Sequence, residues 1–186
     1  MNGGRNGYIG EVELLTLGHG TASQEDLAAR IRAAQIARLV DVRSVPKSRR
    51  HPHVWREQME LWVPSETGAT YTWAAELGGF RKAQPDSLNT ALRHPSFRGY
   101  ADYMETDRFR DALALLLETA ARQRTAIMCS ETLWWRCHRR LIADAAVLLH
   151  GVEIAHLSAD GKAHPHVPTD GVRRVGDHLR YDQEVA

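Results

Sequence analysis

The sequence predicts an α/β fold: a single domain with a mainly parallel sheet flanked by helices. Three observations carry this. A strand, a helix and a second strand succeed one another at the start of the chain. The strand-like runs are short and apolar throughout, as strands covered on both faces are. Two amphipathic helices in the second half alternate with further short apolar runs.

Val12–Leu17 is apolar and closes on Gly18-His19-Gly20, which reads as a buried strand ending in a turn. Ser23 with Asp26 three residues on marks a helix N-terminus, and Leu27, Ile31 and Ala34 repeat on one face of that helix. Ile36–Val42 is β-branched and apolar; reached through a helix, it makes a parallel crossover. Ser44–His53 carries two prolines, three basic residues and two histidines, so an exposed basic loop is expected. Val54–Trp62 reads as a short helix with Trp55, Met59 and Trp62 on one side, and Thr70–Ala74 as a third strand.

Leu77–Pro95, with paired glycines and two prolines, reads as a long surface connection of the kind that covers a site. From Thr106 or Asp107 the chain gives its clearest helix, with Phe109, Ala112, Leu113, Leu116, Leu117 and Ala120 on one stripe. Thr125–Cys129 is a strand. Leu141, Ile142, Ala145, Leu148 and Leu149 stripe a helix stopped by Gly151, and Val152–Leu157 reads as the last strand. The expected organisation is a flexible leader at 1–12, the α/β domain at 13–157, and a C-terminal extension at 158–186, at most partly ordered and without a convincing period.

The 186 residues suffice for one core, and 43% hydrophobic with 25% charged residues is an ordinary globular balance. Twenty-four Lys+Arg against 23 Asp+Glu leave a net charge of +1, which denies the chain a broad positive field; any anion site is local. Two cysteines are too few for a disulfide framework, the leader lacks an apolar core, and no run reaches the roughly 18 apolar residues of a membrane span. A cytoplasmic protein with no membrane partner is expected.

The order of motifs resembles that of the domain-of-unknown-function 488 family of bacteria and archaea. The matching stretches are Thr16–His19, Leu39–Arg43 with Arg49-Arg50, Glu76–Gly79 with Arg81-Lys82, Phe97–Met104, and Met128–Glu131 with Cys137–Arg139. They span about residues 13 to 157. Between Glu131 and Cys137 this chain has Thr132-Leu133-Trp134-Trp135-Arg136, where a more polar, proline-containing insert is expected of the family. The strand–Cys–loop–helix order is also similar to the active loops of rhodaneses and cysteine phosphatases, which implies Rossmann-like or rhodanese-like layering. It lacks the signature of either family: the phosphatase arginine would fall at Trp135, one residue before Arg136.

Ligands of parallel sheets bind at the carboxyl ends of strands, a rule that gathers His19, Asp41, Arg43 and Cys129 at one edge. Cys129, ahead of a loop into a helix, is the expected nucleophile, its thiol pKa lowered from about 8.5 by the helix N-terminus. The competing reading is a small buried hydrophobe. Glu131 and His19 are the expected proton carriers, with Glu76 a further acid–base candidate. Arg43, Ser44, Arg49, Arg50, Arg81, His138 and Arg139 are expected to contact an anion, and Tyr100 and Tyr103 to stack on a substrate or fill the core. Trp134 and Trp135, side by side in the Cys129 loop, are expected to leave at least one ring exposed to cap a substrate. His164 and His166 read as part of a solvated tail.

Three functions stand open at this point. The first is an enzyme for thiol transfer or hydrolysis on a phosphate- or sulfur-bearing substrate, small or carried by nucleic acid. The second is a non-catalytic module binding nucleic acid or a partner. The third is a metal site built from Cys129, Glu131, Cys137 and His138, against which stands the C-x7-C spacing, unlike that of structural zinc sites. A transient Cys129–Cys137 disulfide is also open. The sequence requires no cofactor, and outside the third reading no residue is expected to ligate a metal.

Overall fold

The computed structural model describes residues 13–182. The leader, apart from its expected boundary with Glu13, lies outside them. Six strands form one sheet in the order β3-β2-β4-β1-β5-β6. They are β1 (Glu13–Gly18), β2 (Arg38–Asp41), β3 (Thr70–Trp73), β4 (Thr125–Cys129), β5 (Glu153–Leu157) and β6 (Ala163–Pro165). The first five are parallel, and β6 is an antiparallel edge. The α/β class with a mainly parallel, helix-flanked sheet is therefore as the sequence predicts.

Strand alternation divides the core between the two faces. Leu15, Leu17, Leu39, Ala126 and Met128 face α1 (Gln24–Ala33) and α2 (Arg56–Thr67). Leu14, Val40, Val42, Ile127 and Cys129 face α3 (Pro95–Met104), α4 (Asp107–Arg122) and α5 (Arg139–His150). The capping chemistry read from sequence is in place: Ser23 accepts from the Asp26 N–H, Thr106 from the Phe109 N–H, and Gly151 ends α5 at φ 67°.

Two parts of the chain depart from expectation. Helix α3 occupies the stretch between the expected surface connection, which ends at Pro95, and the helix expected from Thr106 or Asp107, where the sequence pattern gives no element. Pro95 is its N1 residue and His94 its cap, so the proline that suggested a loop opens the helix. Gly99 inside it removes the side chain that would collide with the 81–83 backbone, 2.3 Å from the Arg81 carbonyl. The tail does not stop at β5. It adds β6 to the sheet edge and then a hairpin of β7 (Val172–Val175) and β8 (His178–Tyr181). Tyr181 is fully buried, its N–H bonded to Asn89 Oδ1 at 3.0 Å and its carbonyl accepting from the Ala91 N–H at 2.9 Å. β6–β8 have only three or four residues each, too few for a period to be read.

No helix among the described residues is long and apolar enough to cross a membrane.

Candidate functional site

β4 enters the sheet between β2 and β1, so three carboxyl ends lie side by side where the strand order reverses. The backbone beyond β1 stays with that beyond β4: the His19 N–H donates to the Cys129 carbonyl at 3.0 Å and the Gly20 N–H to the Ser130 carbonyl at 2.9 Å. This approach requires glycine. A Cβ on Gly18 would lie 1.9 Å from the Glu131 carbonyl oxygen, and one on Gly20 2.2 Å from Thr132 Oγ1. The loop after β4 returns through a 3-10 turn at Trp134–Arg136, bringing Cys137 and His138 back over Cys129 before α5 begins.

A cleft of about 670 Å³ opens above these ends, with Cys129, Cys137, His138 and Tyr100 in its lining. Sγ of Cys129 and Cys137 and Nδ1 of His138 lie within 4.8 Å of one another, Nδ1 being 3.9 Å from Cys129 Sγ and 3.7 Å from Cys137 Sγ. The histidine is fixed from behind. Its Nε2 is 2.9 Å from the Val42 carbonyl, which can only accept; Nε2 therefore carries a proton, and in the neutral ring the Nδ1 lone pair faces the sulfurs. Gly79 makes room, because a Cβ there would sit 2.9 Å from Nδ1. Gly78 does the same for Ser44, whose hydroxyl donates to the Gly79 carbonyl at 2.5 Å. The Glu76-Leu77-Gly78-Gly79 stretch thus acts through its glycines, and Tyr100 pins it by donating to the Leu77 carbonyl at 2.7 Å. Tyr100→Phe leaves that carbonyl unpaired in the core and is expected to cost about 1–2 kcal/mol, read as a lower urea midpoint at unchanged slope.

The two thiols are not equivalent. Hydrogen bonding to Cys137, and then burial, push the Cys129 thiol well above its ordinary pKa. Burial also opposes ionisation of Cys137. It is outweighed by the hydrogen bond from Cys129 and the charge of Arg139, so Cys137 is shifted down. The direction of these shifts, together with the contact of Arg139 with Cys137, disfavours Cys129 as the activated thiol that the strand-end argument predicts. What separates the two sulfurs is Arg139, at the start of α5, whose Nε touches Cys137 Sγ.

Arg139, expected to contact an anion, is 1% exposed and does not line the cleft. Its Nε donates to Cys137 Sγ at 3.4 Å and its Nη2 to the Glu131 carbonyl. No carboxylate within salt-bridge distance of it is found among the described residues. A buried guanidinium without a carboxylate favours a negative charge on the sulfur it touches.

The other expected site residues fall in three groups. His19 and Arg43 line the cleft but are committed to each other and to Asp41. Arg43 gives Asp41 a bond from Nε at 2.9 Å, a second from Nη2, and one from its own N–H at 3.0 Å, so its charge is already compensated and it is not a free anion contact. His19 is held neutral, its pKa lowered to about 4 by burial and then by Arg43. With Nδ1 bonded to the Gly20 carbonyl and Nε2 3.3 Å from Arg43 Nη1, it has no free site to carry a proton.

Ser44, Glu131, His138 and Tyr100 line the cleft. Arg49, Arg50, Glu76, Arg81 and Tyr103 do not. Arg49 and Arg50 are exposed on their loop, Glu76 pairs with Arg108, and Arg81 stacks over Tyr103 at 3.9 Å. Among the described residues, the cations that the lining offers to a ligand are instead Lys47 and Arg136.

Sequence reasoning missed two further features. Phe80 is 91% exposed at the cleft and holds a positive φ of 57°, an uncommon conformation for a bulky residue. Behind the site, Thr16 bonds His156 (2.7 Å), His156 bonds His166 (2.9 Å), and His166 bonds Asp144 (2.8 Å). Tyr181 donates to the other oxygen of Asp144, and Trp134 stacks on His156 at 4.0 Å. The His166 side chain, expected in solvent, is buried here because the antiparallel pairing of β6 turns it onto Asp144. Of the tryptophan pair, Trp135 is half exposed and lines the cleft, while Trp134 is turned inward.

The class that this arrangement defines is a parallel α/β sheet with a cysteine–histidine cluster at its switch point. Residues 23–146, two thirds of the chain, match the family model for the domain of unknown function DUF488, and the chain belongs to that family. The match includes every cleft residue except His19, whereas His156, His166 and Tyr181 lie beyond its end. No curated protein and no solved structure matches the chain.

Proposed function

We propose that the chain is an enzyme that takes a small anionic substrate into the cleft at the carboxyl ends of β1, β2 and β4, with Cys137, Cys129 and His138 as the reacting centre. The observation that carries this reading is the contact between Cys137 Sγ and the buried Arg139, which has no carboxylate at hand and so favours sulfur as thiolate. In the neutral ring His138 presents Nδ1 to both sulfurs, suited to receive a proton from Cys129 or return one to a leaving group. Lys47 and Arg136 supply charge for the anion at the mouth, and Trp135 and Phe80 supply apolar cover. This is chemistry through a thiolate centre, either transfer or hydrolysis.

The test uses two alkylating probes on protein dialysed against chelator. Iodoacetate is anionic and iodoacetamide neutral. A cleft that takes anions raises the iodoacetate-to-iodoacetamide rate ratio at Cys137 above that of a free thiol such as glutathione, and Cys137→Ser removes the fast reaction. A ratio equal to that of glutathione, or alkylation only on unfolding, contradicts the proposal.

A further inference from the structure

We propose that Cys129, Cys137 and His138 bind one soft divalent cation of the zinc class, with its fourth position open to the cleft. This rests on the reading that the three side chains form the reacting centre, and adds what they hold. In the occupied form both sulfurs are ligands, so the fourth position becomes the place where substrate or water is activated.

The distances fit. Zinc bonds of about 2.3 Å to sulfur and 2.0–2.1 Å to nitrogen, arranged tetrahedrally, set sulfur–nitrogen edges of roughly 3.6 Å. The two edges here are 3.9 and 3.7 Å, and all three donor atoms lie within 4.8 Å of one another. Among the described residues this is the one His/Cys/Asp/Glu group so clustered.

The support around the donors is also that of a ligand set. His138 Nε2 donates to the Val42 carbonyl at 2.9 Å, which fixes the tautomer that leaves Nδ1 free and holds the ring on its line of approach. Arg139 Nε donates to Cys137 Sγ at 3.4 Å, which stabilises that sulfur as thiolate, and Ser130 Oγ lies 3.8 Å from Cys129 Sγ. Gly79 supplies the space that a Cβ, 2.9 Å from Nδ1, would take away.

Charge points the same way. Two thiolates and a divalent ion sum to zero, and the buried Arg139 adds one positive charge, so the fourth position favours an anion. That is the preference proposed for the cleft. The C-x7-C spacing is unlike that of zinc knuckles because the ligands come from a strand end and from the loop that folds back over it. A set of three protein ligands open to a cleft is the arrangement of catalytic rather than structural zinc.

The experiment titrates chelator-stripped protein with Co²⁺ and, separately, Zn²⁺. One equivalent of Co²⁺ is expected to bind, with a thiolate-to-cobalt charge-transfer band and the intense visible bands of a four-coordinate ion. One equivalent of Zn²⁺ is expected to displace it and to suppress iodoacetate alkylation. Cys129→Ser, Cys137→Ser and His138→Asn should each weaken Co²⁺ binding at least tenfold. His164→Ala, at an exposed histidine away from the cleft, should leave it unchanged, and circular dichroism identifies any variant that fails to fold. No charge-transfer band, or equal affinity in folded Cys137→Ser, overturns the metal site. If alkylation of the stripped protein is nevertheless fast and anion-selective, the thiolate reading stands without the metal; if it is not, that reading falls as well.

Discussion

Gly18→Ala is expected to destabilise the protein by about 3 kcal/mol or more and to dismantle the reacting centre, because the new methyl has nowhere to go. Its carbon would lie 1.9 Å from the Glu131 carbonyl oxygen and 2.7 Å from the carbonyl carbon, both backbone, and 3.0 Å from Arg139 Nη2. Backbone cannot rotate aside as a side-chain tip can, so the end of β1 must part from the loop after β4. That same carbonyl accepts from Arg139, so the separation loosens the guanidinium that holds Cys137. Urea unfolding reads the stability loss, and iodoacetate alkylation reads the site; a variant as stable and as reactive as the parent contradicts the close packing described.

A comparably large effect is expected from acid, through His156. Burial, then the neighbouring His166 and Arg139, lower its pKa to about 3. In the unfolded chain it titrates near 6.5. Between those values the unfolded state binds a proton that the native state does not, so stability falls as pH falls through this window and is unaffected by this group above it. The loss amounts to about 2 kcal/mol between pH 6.5 and 5. His156→Phe keeps a ring against Trp134 but cannot titrate, and should make this part of the pH profile less steep, His19 retaining its own share, even though it costs stability by removing the bonds of His156 to Thr16 and His166. Unfolding free energies of the two proteins across pH 5 to 7 check this, and equal slopes would contradict a neutral buried His156.

What could be read from the sequence came from periodicity and from strand order. β1, β2, β4, α1, α4 and α5 each bury a stripe or an apolar run long enough to announce itself, and the rule that sites lie at carboxyl ends of parallel strands gathered His19, Arg43 and Cys129 correctly in space. It did not reveal which of their charges were already spent. Asp41 and Arg43, two residues apart, look like a strand end facing a ligand; in the fold they neutralise each other. Nor could it rank the two thiols, since that depends on Arg139 being buried beside Cys137, a consequence of how α5 docks. The histidines behind the site come from strands and a tail whose pairings are long-range, so nothing in local spacing places His166 against Asp144.

The chemistry proposed for the cleft turns on Cys137 being the reactive sulfur and Cys129 its proton-bearing neighbour. Limited carboxymethylation of the native, chelator-dialysed protein near neutral pH, with peptide mass mapping of the product, separates the two thiols. The label is expected first on Cys137, with Cys129 reacting only when Cys137 is replaced by serine or the chain is unfolded. Label accumulating first on Cys129 would contradict that assignment.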